Sequence, residues 1–341
     1  MIKTALKRLL PSHPYSAIHP YNLLWKSSFI KTYPYDKTGA LQVIDIGGRG
    51  GSLEELEGFR EHMHYISFDA DAEEAERLSV SLVKEGFNKV NVYPYLIHEK
   101  KGLINFNLYK NRAESSMYGP NPVYRDNFRS DFAIDKSLSL EAVSLDELYA
   151  ADKITDVDLI KLDTQGSEFN ILQGAVHFLD SADILMIESE TEFYPMYKDQ
   201  PLYHDIAALL HQKGYMLLFL NRVYANRSAY KGISRGQLIF GDALFGLNEE
   251  RTQQLSSSKK LKYIYLLINY GCIDYAYQIF QSMPSFNDLP FLANYFRKYN
   301  RKDGKLRKAV GYFIDNILFK LLIWRKTNRM SVDSDRSYPV R

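Results

Sequence analysis

The stretch DLIKLDTQGSEFNILQGA, Asp158 to Ala175, decides how this chain is read. Asp158–Leu162 has the pattern of an apolar strand and runs straight into a carboxylate, Asp163. A glycine-containing turn follows. A second carboxylate, Glu168, then stands at the start of an apolar-periodic helix predicted over Gly166–Leu179. Strand, tight turn and helix in that order form the unit of an open α/β sheet. Ligands of such sheets bind beyond the carboxyl ends of the strands, so two acids there are set up for chemistry. The blander readings are a turn-capping aspartate and a glutamate that complements a helix N-terminus.

Working outward, the same alternation recurs from Leu41 onward. Strands are predicted at Gln42–Ile46, His64–Phe68, Lys89–Tyr93, Asp158–Leu162, Ile184–Glu188, Tyr215–Leu218 and Gln237–Phe240. Helices are predicted at Ser52–Phe59, Ala72–Glu85, Gly166–Leu179 and Leu202–Lys213. The expected fold is therefore α/β, a doubly wound and mostly parallel seven-stranded sheet. An excursion follows the third strand. GLINFNLYKN reads as an added strand, and SLSLEAVSLDELY as a strand leading into a helix. The Asn111–Lys136 loop between them is long enough to expect a functional segment. Three parts are expected: an N-terminal arm over 1–37, the α/β domain over 38–248, and an all-helical extension over 249–341. Within the extension, Ser256–Lys260 reads as a linker, followed by helices at Leu261–Tyr270 and Ile273–Ser282.

Composition narrows the function. Hydrophobic residues are 45% and charged residues 25%, the balance of a globular domain. A formal charge of +2 argues against a nucleic-acid partner. The single cysteine, Cys272, rules out a disulfide framework and a cysteine zinc site, which suits a cytoplasmic setting. His62 and His64 share a strand face but lack an obvious third ligand, so no metal is expected.

The run VIDIGGRGG, Val43–Gly51, sits at the end of the first strand. A dinucleotide fingerprint needs G-x-G-x-x-G. Counting from Gly48 the last position is Leu53, and counting from Gly47 the middle one is Arg49. The run reads instead as D-x-G-x-x-x-G, with Asp45, Gly47 and Gly51, and with Gly48 inside the turn. The next strand ends in Asp69, where a carboxylate can accept from both ribose hydroxyls of a nucleoside. A glycine turn plus an acid, without the phosphate-type spacing, fits S-adenosylmethionine better than a nicotinamide dinucleotide. Cofactor candidates are thus Asp45, Gly47, Gly48, Gly51 and Asp69.

Here the chain resembles the FkbM-type methyltransferases, within the class I S-adenosylmethionine-dependent methyltransferases. The resemblance runs from about Leu41 to Gly246. It is carried by VIDIGGRGG, the FDAD segment at Phe68–Asp71, Ser115–Ser116, VSLDEL at Val143–Leu148 and, above all, IKLDTQGSEFNILQGA. The family often has Asn at Arg49, Glu-Pro at Asp69-Ala70 and Glu at Gln165. The resemblance implies methyl transfer to sugars of polysaccharides or glycosylated metabolites; the residues themselves give only a polar, hydroxyl-bearing acceptor.

In-line methyl transfer to a hydroxyl needs an oriented acceptor and often a base. Asp163 is the first candidate and Glu168 the second. Glu188 and Glu190 follow the fifth strand, and strand alternation is taken to let only one of them, Glu190, serve. His98, just past the third strand, is a further candidate base, against the reading of a solvated loop histidine. The turn Asp163-Thr164-Gln165-Gly166 lacks the [DN]-P-P-[FY] run of enzymes that methylate amino groups of nucleic acids. Two other readings stand against a methyltransferase: a nicotinamide-dependent oxidoreductase and a catalytically degenerate scaffold.

No segment has the roughly 18 apolar residues of a membrane span. The residues after Arg297 are rich in Lys and Arg and contain an apolar stripe from Val310 to Leu322. A basic amphipathic helix of that kind either docks on the domain or a sister subunit, or lies on the inner face of an anionic membrane.

Overall fold

The computed structural model describes residues 31–47, 54–70, 72–232, 234, 236–283 and 289–299. Gly48, Gly51, most of the N-terminal arm and the Val310–Leu322 stripe lie outside the described residues.

In chain order, helix α1 (Tyr35–Thr38) precedes strand β1 (Leu41–Ile46). A 3₁₀ stretch, Glu54–His62, leads to β2 (Met63–Phe68), α2 (Ala72–Lys84) and β3 (Lys89–Tyr93). The excursion contains β4 (Leu96–Ile97), β5 (Gly102–Tyr109), a 3₁₀ turn at Arg112–Glu114, α3 (Pro122–Asn127), β6 (Ile134–Val143) and α4 (Leu145–Ala150). Then come β7 (Leu159–Leu162), α5 (Glu168–Gln173), α6 (Val176–Ser181), β8 (Met186–Glu192) and α7 (Tyr203–Gln212). The chain continues with β9 (Tyr215–Ala225), β10 (Gln237–Leu247), α8 (Glu249–Gln254), α9 (Ser257–Asn269), α10 (Ile273–Ser282) and α11 (Pro290–Tyr299).

Seven strands make one sheet in the order β3-β2-β1-β7-β8-β10-β9, and β4-β6-β5 make a small second sheet. The five strands from β3 to β8 are parallel, and β10 runs antiparallel to both β8 and β9. This is the doubly wound class expected from the sequence. The order reverses between β1 and β7, the place where open sheets leave a crevice. Apolar residues of both strands are buried on both faces, as central parallel strands must be. In α2, Ala75, Leu78 and Leu82 form the buried stripe, with Glu73 and Glu74 in the first turn where they complement the helix dipole.

Several boundaries differ for physical reasons. The predicted Ser52–Phe59 helix is a 3₁₀ stretch whose buried residues, Leu56 and Phe59, are three apart, the repeat of that tighter helix. The predicted Gly166–Leu179 helix breaks into α5 and α6 at Gly174. A Cβ there would lie 2.4 Å from the carbonyl oxygen of His98, so the corner needs glycine. The fifth strand runs on to Glu192 rather than stopping at Glu188. Part of the Asn111–Lys136 loop is ordered by α3, whose N-cap Asn121 accepts from Val123 N at 2.9 Å. It packs Tyr109, Tyr124, Phe128, Phe132, Met196 and Tyr197 into one buried aromatic cluster. Ser256–Lys260 is not a linker, because α9 begins at Ser257 and buries Lys259 and Lys262.

The chain divides into two compact units, one of them Tyr35–Tyr263. The other takes in residues 31–34 and the helices from Ile264 onward. In it Tyr265 Oη donates to Thr32 O at 2.7 Å, and Phe280 packs on Phe296 with ring centroids 5.0 Å apart. No helix among the described residues is long and apolar enough to cross a membrane.

Candidate active site

Register builds the site. Asp45 of β1 lies opposite Ser67 of β2 on one side and Lys161 of β7 on the other, and Lys161 lies opposite Glu188 of β8. Neighbours across parallel strands share a face, so these four form one row. Glu190 comes two residues after Glu188 on β8 and shares this face, while Gly47, Asp69 and Asp163 follow just past the ends of β1, β2 and β7. Glu190 in turn pairs with Asp242 of β10. One face of the sheet at its carboxyl edge is thus lined with acids around a single lysine. Alternation also corrects the expectation for β8. Glu188 and Glu190 are two apart and share the face, as does Glu192.

Asp45 is buried and accepts a hydrogen bond from the Tyr65 hydroxyl. Among the described residues its Oδ1 and the Ser67 hydroxyl beside it have no hydrogen-bond partner. Burial pushes the Asp45 carboxyl above the usual range, while Lys161 and Tyr65 act against that rise. Burial lowers Lys161, but Asp45, Asp163 and Glu188 outweigh it and hold the ammonium firmly charged.

Asp163 is half-exposed at the mouth of β7. Lys161 Nζ donates to its Oδ2 at 3.3 Å and Gln165 Nε2 to its Oδ1 at 3.2 Å. Asp69 is buried just past β2, with its N–H on Tyr93 O at 3.3 Å. Gly47 has φ 85°, and a Cβ on it would sit 2.0 Å from the Asp163 carbonyl oxygen. The space around Gly47 therefore belongs to the β7 turn, so the fold itself requires glycine there, and the role is not only to admit a ligand.

Glu168 begins its helix as expected, but its surroundings and those of His98 differ from the sequence reading. Glu168 is 1% exposed. Its Oε1 accepts from Thr164 N at 2.6 Å and Thr164 Oγ1 at 3.0 Å, and its Oε2 from Gly166 N at 3.0 Å. Both oxygens hold the turn, so Glu168 braces the site from beneath and is not free for an acceptor. His98 is buried, not a solvated loop residue. It packs by its backbone on Gly174, its charged neighbours are Glu99 and Lys100, and burial lowers its pKa. Nothing brings it to the acids. His64 bonds Asn91 Oδ1 at 2.7 Å and Gln42 Oε1 at 3.2 Å. Among the described residues no group of acids, histidines or cysteines has the arrangement of a metal site.

Sequence reasoning missed Lys161, Gln165, Tyr197 and Glu192. The signal for Glu192 was available in the period-two acids of Glu188-Ser189-Glu190-Thr191-Glu192. The Ser115–Ser116 pair takes part too: Ser116 Oγ donates to Gln165 O at 2.6 Å.

Burial raises the carboxyl of Glu168 to about 7 and holds those of Glu190 and Glu192 well above their usual range, and the acids repel one another in addition. The native state then keeps protons that the unfolded chain releases above pH 4.5. Bound protons in excess in the native state make stability fall as pH rises. The melting temperature should therefore decline between pH 4.5 and about 7. Glu192→Gln should raise it at pH 8 and leave it unchanged at pH 4, because the amide spares the cost of ionising a carboxyl that burial holds well above its usual range. Equal effects at both pH values in a thermal melt would contradict the assignment.

Residues 55–217 match the model of the methyltransferase FkbM domain. The match runs from the 3₁₀ stretch to the start of β9 and takes in Asp69, Asp163, Glu168 and Glu190. No curated protein matches the sequence. Among solved structures, the chain is similar to magnesium protoporphyrin IX methyltransferase from Synechocystis with bound S-adenosylmethionine. The identity is 12%, over 65% of this chain and 78% of that one, with a TM-score of 0.33. A precorrin-6y C5,15-methyltransferase from Geobacter metallireducens gives 9% identity, over 65% and 88%, with a TM-score of 0.33. An S-adenosylmethionine-dependent methyltransferase from Aquifex aeolicus gives 12% identity, over 65% and 89%, with a TM-score of 0.29.

Proposed function

We propose, from the premise that the chain carries a methyltransferase FkbM domain, that it transfers a methyl group from S-adenosylmethionine to a hydroxyl oxygen on a sugar. The observation that carries this reading is the acid-lined carboxyl edge around Gly47, in which Asp45 Oδ1 and Ser67 Oγ lack partners among the described residues. A carboxylate-rich crevice complements a sulfonium and an ammonium. It would repel the pyrophosphate of a nicotinamide dinucleotide, which counts against the oxidoreductase reading. The residues present fit the cofactor: Asp69 would accept from the ribose hydroxyls and Asp45 from the ammonium.

When bound, the cofactor supplies an electrophilic methyl group on sulfur. The protein's part is to orient the acceptor oxygen and receive its proton. Asp163 is a half-exposed acid at the mouth of β7, and Lys161 and Gln165 fix its carboxylate. The excursion supplies aromatic rings near this edge. Tyr118 Oη donates to Asn170 Oδ1 of α5 at 2.7 Å, and the partly buried Tyr118 and Tyr194 pack on the aromatic cluster. Such rings suit the C–H faces of a sugar. A glycan or other hydroxyl acceptor is the partner we infer, with the enzyme working in the cytoplasm. A membrane contact through the basic tail belongs to the same proposal.

Calorimetry with S-adenosylmethionine tests the reading. The wild type should bind, and Asp69→Ala should weaken binding by about 1.5–3 kcal/mol, the loss typical of a hydrogen bond to a charged group. A folded wild type that releases no binding heat would sink it. Binding without turnover on any glycan would favour the scaffold reading.

A further inference from the structure

Gln165 stands in the left-handed region, at φ 58°, which is uncommon for a residue with a Cβ. Its side-chain amide joins three parts of the domain. Nε2 donates to Asp163 Oδ1 at 3.2 Å and to Glu190 Oε2 at 2.5 Å. Oε1 accepts from Tyr197 Oη at 3.0 Å. The partners fix which end of the amide is which. Carboxylates only accept, so the NH2 faces them, and the tyrosine hydroxyl meets the oxygen.

We propose that Gln165 is a positioning residue of the methyl-transfer site, whose amide bridges Asp163 and Glu190, orients both side chains and favours the ionised form of each. The role rests on the functional reading above; the bridge itself does not. Two carboxylates converging from neighbouring strands repel, and without a donor between them one takes up a proton and ceases to act as a base. Burial and the acids facing Glu190 press it that way: Asp163 from β7, Glu192 on β8, Glu168 from α5 and Asp242 on β10, with the neutral Tyr197 hydroxyl nearby. Among the described residues the amide of Gln165 is the hydrogen-bond donor to the Glu190 side chain. A glutamate at this position could not donate to both acids. A lysine would add a charge and offer no acceptor to the Tyr197 hydroxyl, which would be left with Glu114 O at 3.0 Å. The amide alone offers two N–H groups and an oxygen at this reach.

The experiment is a carbon-13 titration of glutamate-labelled protein without ligand, with Glu190 assigned by the signal lost in Glu190→Gln. Gln165→Met, of similar length and without donors, should raise the Glu190 midpoint by about one to two pH units. Tyr197→Phe leaves the amide in place but frees it to turn, and should give a smaller rise in the same direction. Gln165→Glu should lower the melting temperature at pH 8. Adding Glu190→Gln should restore it, because donor and acceptor have exchanged places. An unchanged Glu190 midpoint in Gln165→Met and Tyr197→Phe overturns the bridge. If Gln165→Met does not fold, Tyr197→Phe decides by the same criterion. Calorimetry with S-adenosylmethionine on the wild type is separate: a protein that binds none while its bridge titrates as described fails the functional reading alone.

Discussion

Asp163→Asn is expected to lose most turnover, about 10²–10⁴-fold, while folding and S-adenosylmethionine affinity stay close to wild type. Three observations converge on this outcome. Asp163 ends β7 at the reversal of strand order, the place where a ligand crevice opens. Its side chain is 36% exposed, so an acceptor can reach it. Its two oxygens are held by Lys161 and Gln165, which point it without covering it. Asparagine keeps the shape but cannot take a proton. It also sets its own NH2 against the lysine or the glutamine donor, so some local adjustment is expected along with the catalytic loss. Wild-type turnover by this variant on a true acceptor would remove Asp163 as the base, and Glu190 would be the next candidate. Loss of cofactor binding alone would assign Asp163 to the cofactor's shell.

The sequence made the frame of this site legible because strand ends are legible. Apolar runs that close on an acid gave Asp69 and Asp163 their places at strand ends, and the glycine turn drew attention to Asp45 one step inside β1. Lys161 could not be found this way. It reads as a polar interruption in a strand until register sets it between Asp45 and Glu188. Gln165 was noticed only as a departure at one position, since its three partners come from β7, β8 and the segment around Tyr197. Glu168 looked catalytic because its position matched. Its two oxygens proved to be committed to Thr164 and Gly166, a fact of turn geometry that no spacing encodes. His98 was misjudged for a similar reason: the polar run His98-Glu99-Lys100 suggested solvent, but the packing of Gly174 against its backbone buries it. The end of β8 escaped because a run of Glu, Ser and Thr carries no apolar signal, although every residue in it but one is buried.

Asp158→Ala should be the most destabilising single change at the opposite end of β7. Asp158 is fully buried and accepts from Lys259 Nζ and Lys262 Nζ, each at 2.7 Å, and from Gln42 N at 2.8 Å. Lys262 is 2% exposed. Its other acidic contact is Asp156 at 3.7 Å, a side chain that is 56% exposed. Burial pushes the Asp158 carboxyl up, and the two ammonium groups and the Gln42 amide counter it. Removing the carboxylate leaves one fully enclosed lysine and most of a second without their buried counter-charge. Breaking a buried pair from one side costs about 3–5 kcal/mol. In a unit the size of Tyr35–Tyr263 that corresponds to a fall in melting temperature of roughly 6–20 °C. The magnitude reflects the stranded charges more than any net gain from the pair, which gives a second arm to the test. Replacing all three partners with apolar residues, Asp158→Leu with Lys259→Met and Lys262→Met, should recover much of the loss. A melt of Asp158→Ala within 2 °C of wild type would mean that the lysines reach solvent when unpaired, and that α9 is not fixed to the sheet through this aspartate. If the fall is as large as expected, the anchor has a functional side. Only four residues separate Asp158 from Asp163, so the same short strand is tied down at one end and presents the proposed base at the other.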